Sequence, residues 1–220
     1  MDAYKVVRDF EQALCDYTGA PYCVTVESCS AALFLCFKYC NVASCDPIII
    51  PKITYPSVPC SIINAGGCVD FSDEDWQKNG FYVMEAKRIN GSCDIIDSAK
   101  YLERLMWNKL ISVEKQDMEE FTFVCLSFHA KKTLPIGRGG AILAGNKQAY
   151  EWFKCARFDG RHECALDKDT LVMPGWNMYL EPEQAARGLQ LMQWIKDVNI
   201  IPPDPYQDLS KYKFFTEANR

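Results

Sequence analysis

No stretch of this sequence approaches the roughly 18 to 20 consecutive apolar residues that a bilayer-spanning helix needs. Its first residues are charged rather than signal-like, so a cytoplasmic protein without a membrane partner is expected. No run of basic residues offers the footprint that duplex phosphates require. With 24 Lys and Arg against 29 Asp and Glu, the formal charge is -5, which argues against nucleic acid as a partner. No Cys-x-x-Cys occurs among the 12 cysteines; the nearest approach, Cys36 and Cys40, lies on an apolar helical stretch without a nearby histidine. No metal site is expected, and the cysteines read as reduced, mostly buried thiols. Internal repeats and low-complexity runs are also missing. What remains is an ordinary globular composition, 220 residues with 49% hydrophobic and 24% charged, enough for one domain with a sizeable core.

The apolar spacing describes alternating strands and helices. Val6, Phe10 and Leu14 lie four apart on a helix over residues 2–16 that closes near Gly19. Residues 22–26 read as a strand, and Ser28-Cys29-Ser30 opens an apolar helix over 31–39 with hydroxyls at its start. The pattern repeats: a buried strand at 48–50 stopped by Pro51, a helix over Ser57–Ala65 ending at Gly66-Gly67, and a strand at 68–71. Beyond a polar loop at 72–80, strands are predicted at 81–84, 94–96, 121–126 and 141–144, with helices at 101–110, 147–158 and 181–198. No helix is predicted between the strands at 81–84 and 94–96. Such alternation predicts an α/β fold, a mostly parallel sheet flanked by helices. Residues 201–220 carry prolines and polar side chains and read as a tail or arm.

Four pieces fall where strands end or helices begin: Ser28-Cys29-Ser30, Asp97, Ser127 with Lys132, and Gly137-x-Gly139-Gly140. In parallel α/β sheets, ligands gather at the carboxyl ends of strands and phosphates sit at helix N-termini. A helix N-terminus, two hydroxyls, a carboxylate and a lysine suit pyridoxal phosphate, with the lysine as Schiff-base partner and the carboxylate holding the pyridine nitrogen protonated. Taken singly, none of these signals is specific.

Their order is. The block Ser127-Phe128-His129-Ala130-Lys131-Lys132-Thr133-Leu134-Pro135-Ile136-Gly137-Arg138-Gly139-Gly140 resembles the S-F-x-x-x-K-x-L-x-x-G-x-G-G block of the DegT/DnrJ/EryC1/StrS family of pyridoxal-phosphate sugar aminotransferases. Ile95-Ile96-Asp97-Ser98-Ala99, Pro51-Lys52-Ile53-Thr54-Tyr55 and Gly175-Trp176-Asn177 are similar to further segments of that family, as is Gln184-Ala185-Ala186. The resemblance, running from about Phe10 to Leu191, implies the large domain of a type I aminotransferase. It makes Lys132, not Lys131, the Schiff-base lysine and Asp97 the pyridine-nitrogen carboxylate. It also places Ser28, Cys29 and Ser30 at the cofactor phosphate, Tyr55 on the cofactor ring and Ser127 in the cofactor site. Asn177 would reach the phosphate of a neighbouring subunit, implying a homodimer with shared sites. The implied reaction moves an amino group from a donor such as glutamate to a keto sugar nucleotide.

Departures from the family pattern are as informative. Cys29 stands where the family has Gly, Ser30 where Thr is usual, and Tyr179 where Arg is frequent. Lys100 takes the place of the Gln or His near the cofactor's ring hydroxyl, where a second amine could act on the cofactor or point away. The stretch from Phe71 to Asp97 is short for the strand and helix that relatives fit there. Relatives continue past the helix at 181–198 into a C-terminal domain, whereas this sequence stops at Arg220. A trimmed cofactor-binding domain over 1–200 with a tail at 201–220 is therefore expected. A degenerate cofactor-binding or dimerising protein, or a same-fold enzyme with a non-sugar acceptor, stays open as an alternative. His129 reads as structural, and His162 with Arg157 and Arg161 as a solvated charged loop.

Overall fold

The computed structural model describes residues 2–43, 47–88, 91–113, 121–199 and 204–217. Helix α1 (Lys5–Thr18) buries Val7, Phe10 and Leu14 on one face, and Gly19 ends it at φ 80°, donating its N–H to the Cys15 carbonyl at 2.8 Å. A left-handed residue closes the last turn there, which glycine does without a Cβ penalty. Strand β1 (Tyr22–Val26) follows, then α2 (Cys29–Cys40), β2 (Ile48–Pro51), α3 (Ser57–Ala65) and β3 (Val69–Ser72). Next come β4 (Tyr82–Arg88), β5 (Gly91–Asp97), α4 (Met106–Val113), β6 (Thr122–Ser127), β7 (Gly140–Ala144), α5 (Lys147–Ala156), α6 (Pro182–Met192) and the short α7 (Lys213–Thr216).

The α/β class stands, but the pairing is mixed where a mostly parallel sheet was expected. The main sheet runs β1-β7-β6-β5-β4, and only β5 and β6 pair in parallel. A parallel return needs a crossover of a dozen or so residues. Between β4 and β5 there is no room for one: Arg88 already pairs with Gly91, so the two strands form a hairpin. β7 likewise returns antiparallel to β6 through the glycine-rich loop. β2 and β3 form a separate parallel pair.

Two apolar layers sandwich the sheet, and the pleat assigns residues to them alternately. Along β6, Phe123 and Cys125 join the layer under α2, α3 and α5, while Val124 and Leu126 face the layer of α1, α4 and α6. β7 does the same with Ile142 and Ala144 against Ala141 and Leu143. Helix α6 is shorter than the 181–198 expected from apolar spacing, because Trp194 and Val198 are exposed and give the helix nothing to pack against. Helix α4 starts late, after Leu105 in a left-handed turn at φ 56°. Residues 204–217 of the expected tail lie against the domain: Leu209 and Phe215 are buried, and the Leu209 N–H donates to the Lys52 carbonyl at 2.8 Å. No helix among the described residues is long and apolar enough to cross a membrane.

Candidate active site

Strand β5 ends on Asp97, which is only 4% exposed. The hairpin register sets Tyr82 opposite it, and the Tyr82 hydroxyl donates to Asp97 Oδ2 at 3.0 Å. The same hydroxyl lies 2.9 Å from Thr54 Oγ1, which is left to donate to it. Asp97 Oδ1 accepts the Ala99 N–H at 3.0 Å. Burial pushes the Asp97 carboxyl up from its ordinary value, against the pull of the Ala99 N–H, the Tyr82 hydroxyl and the nearby Lys132 charge. The result is a fixed, dehydrated carboxyl group that an incoming positive charge would stabilise in its ionised form.

Ser28 leaves β1 in an extended conformation and caps α2, its Oγ accepting the Ala31 N–H at 3.1 Å. The helix start is pressed onto the beginning of β7. A Cβ on Gly140 would come within 2.5 Å of the Cys29 nitrogen and the Ser28 carbonyl carbon, so the last glycine of the block permits this contact. Burial, with Asp97 and Cys125 nearby, pushes the Cys29 thiol well above its ordinary value and keeps it neutral beside the N–H groups. A neutral thiol in place of glycine therefore brings no charge that would repel an anion at the helix N-terminus.

The loop from Ser127 to Gly140 closes on itself: Phe128 N–H donates to the Gly139 carbonyl at 2.9 Å and Ala130 N–H to Gly137 at 3.1 Å. Lys132 sits on its inner turn, half-buried, its N–H donating to the His129 carbonyl at 2.8 Å. Ser28, Cys29, Ser30, Tyr55, Asp97, Lys100, Ser127 and Lys132 all line one cavity of about 1270 Å³. That exceeds the usual span of about 300–1,000 Å³ for a single small-molecule site.

Asn177 lies outside this cavity, exposed, its Nδ2 donating to Asp159 Oδ2 at 3.1 Å. Tyr55 is 57% exposed and meets Tyr206 edge-on at 6.1 Å. Lys100 does not point away: its side chain is 1% exposed, with Nζ 3.3 Å from Asp204 Oδ2 and 5.6 Å from the Trp76 ring centre. His129 is exposed on the cavity rim. Arg157, grouped by sequence with a solvated loop, is instead buried and bonded to Glu11, Thr25 and Glu163. Arg161 and His162 stay outside and hold Asp169.

Sequence reasoning missed Tyr82, Trp76, Asp204 and Tyr206. Tyr82 and Trp76 reach the site through the hairpin and the loop before it, and residues 204–207 through the supposed tail; no local pattern marks any of them.

The fold is that of an aminotransferase: Helicobacter pylori PseC, an aminotransferase involved in the biosynthesis of pseudoaminic acid, superposes with a TM-score of 0.63 at 20% identity, over 86% of this chain and 58% of that one. The sequence matches the DegT/DnrJ/EryC1/StrS aminotransferase family over residues 1–89 and 117–200, and the chain belongs to that family. Among relatives, the spore coat polysaccharide biosynthesis protein SpsC of Bacillus subtilis is 23% identical over 87% of this chain. A UDP-4-amino-4,6-dideoxy-N-acetyl-beta-L-altrosamine transaminase of Campylobacter jejuni is 22% identical over 86% of it. The chain spans 57% of the length of each of these two proteins.

Proposed function

We propose that the protein is a pyridoxal-phosphate-dependent aminotransferase that moves an amino group from an amino acid such as glutamate to a keto sugar nucleotide. The observation that carries this reading is the convergence of Lys132, Asp97 and the start of α2 on one cavity. The residues present fit the cofactor. The N-terminus of α2 offers N–H groups and hydroxyls to a phosphate, Asp97 is a buried carboxylate suited to a cationic ring nitrogen, and the cavity has room for a second molecule.

When bound, the cofactor supplies an aldehyde for an amine and a protonated ring that draws electrons from the substrate carbon. The chain's own residues do the rest. Ser28, Cys29 and Ser30 hold the phosphate. Asp97, oriented by Tyr82 and Ala99, keeps the proton on the ring nitrogen, where the new positive charge offsets the cost of its burial. Lys132 Nζ would be the amine that holds the cofactor and the base that moves a proton at the reacting carbon. Tyr55 would pack on the ring and Ser127 would add a hydroxyl at the site. Asn177, exposed and outside its own cavity, would exchange its bond to Asp159 for the phosphate of a second subunit in a homodimer with shared sites. The relatives named for polysaccharide and UDP-sugar chemistry support a sugar nucleotide as acceptor.

The test is a visible spectrum of purified protein with added cofactor. A band that disappears in Lys132→Ala and persists in Lys131→Ala is expected; equal loss in both would overturn the assignment of Lys132.

A further inference from the structure

The cavity holds a cation that the catalytic roles above leave unused. Lys100 Nζ is fully enclosed and makes no aligned hydrogen bond among the described residues. Among the described residues its charge is met by Asp204 Oδ2 at 3.3 Å and by the face of Trp76. An ammonium has three donors to satisfy, and leaving them unmet in a dry site is costly. Asp204 is a loosely committed partner: its side chain is 31% exposed, and its Oδ2 already accepts from the Tyr206 hydroxyl at 2.7 Å. Burial works against its charge, yet the Tyr206 hydroxyl and the charges of Lys100 and Lys132 hold it below the usual carboxylate range. Asp204 arrives on a short strap, residues 204–207, whose Tyr206 stacks on Trp76 at 6.0 Å and 14°.

The other cations lining the cavity are differently placed. Arg138 is bonded to Glu27 at 2.7 Å, Lys131 is exposed, and Lys132 is the group assigned to the cofactor. Among the described cations lining the cavity, Lys100 is thus the enclosed one with donors to spare, and a carboxylate already lies against it.

We infer that Lys100 is the subsite for the carboxylate of the amino donor, and that Asp204 occupies this subsite until the donor displaces it. The inference rests on the aminotransferase reading. A carboxylate with both oxygens turned to Nζ would make the charge-assisted bonds that Asp204, tied to Tyr206, does not make. The displaced Asp204 side chain has solvent and the Tyr206 hydroxyl to turn to.

The probe is glutarate, a dicarboxylate without an amino group, titrated calorimetrically into protein loaded with pyridoxamine phosphate. Lys100→Met should weaken glutarate about tenfold or more, the worth of a charge-assisted contact. Asp204→Asn should tighten it severalfold, since it removes the competing carboxylate. That gain cannot come from a variant that folds poorly, so it decides the matter even if Lys100→Met is damaged. If the pair only ties the strap down, both variants weaken glutarate or neither moves it, and the inference fails. If Lys100→Met weakens pyridoxamine phosphate and leaves glutarate unchanged, the lysine serves the cofactor and the inference also fails. Protein that takes up no cofactor at all would refute the aminotransferase reading instead, while the same two variants titrated without cofactor would still test Lys100 as a carboxylate subsite.

Discussion

Two cations are buried to the same degree in this protein, and their surroundings differ completely. The side chains of Arg157 and Lys100 are each 1% exposed. Arg157 donates to Glu11 Oε1, to the carbonyl and hydroxyl of Thr25 and to Glu163 Oε1, and Thr25 in turn donates to Glu11 through both its N–H and its hydroxyl. That network joins α1, β1 and the end of α5. Lys100 has one misaligned carboxylate and a ring face. A buried charge held by several partners on different elements ties the architecture together, whereas one with few partners keeps capacity for a further contact.

The largest expected effect lies on the saturated side. Arg157→Met leaves Glu11 charged and buried without its counter-ion, and removing one partner of such a pair typically costs about 3–5 kcal/mol. Urea denaturation should show a loss of that size. A loss under about 1 kcal/mol would mean that the network is not what joins these elements.

The next effect concerns turnover. In the proposed mechanism, Asp97→Asn removes the charge that would keep the ring nitrogen protonated, a charge-assisted contact worth about 1.5–3 kcal/mol, so the rate should fall at least about tenfold while cofactor is still bound. A variant that turns over as fast as the parent removes Asp97 from the mechanism.

The contrast also separates what was legible in the sequence from what was not. Local signals worked: the four-residue spacing of Val6, Phe10 and Leu14 with Gly19 gave α1, and the Ser127 to Gly140 block brought Lys132 and the start of α2 to one cavity. Cross-strand partners carry no local signal. The pairing of Tyr82 with Asp97 is a matter of hairpin register, and the parallel expectation failed because periodicity says nothing of strand direction. The strap was unreadable for a similar reason, since a proline-containing polar segment looks the same whether it hangs free or stacks Tyr206 on Trp76. Arg157 was misread because its partners, Glu11 and Thr25, are distant in sequence.

A smaller effect is the pH dependence of stability. The folded-state carboxyl of Asp97 is raised above its unfolded value of about 3.9, so the folded state keeps the proton longer than the unfolded chain does. Its contribution is fully present below the unfolded pKa and is lost as pH rises through the raised one. In cofactor-free protein, the stability of the parent relative to Asp97→Asn should therefore decline as pH increases across that window. A difference that stays flat or grows with pH would show that Asp97 is not desolvated as the fold implies.

The smallest expected effect tests the idle cation. Lys100→Met removes an ammonium whose dehydration is not recovered by aligned hydrogen bonds, and puts an apolar chain of similar length against Trp76. Replacing an imperfectly paired buried ion with an apolar side chain is often neutral or stabilising. Asp204 loses a counter-charge, but it is partly exposed and keeps the Tyr206 hydroxyl as donor. Denaturation of the Lys100→Met variant should thus fall within about 1 kcal/mol of the parent, on either side, as expected where gain and loss nearly cancel. A loss comparable to that of Arg157→Met would mean that Lys100 is bonded in solution as fully as Arg157, which would erase the distinction between the two sites and with it the case for a carboxylate subsite at Lys100.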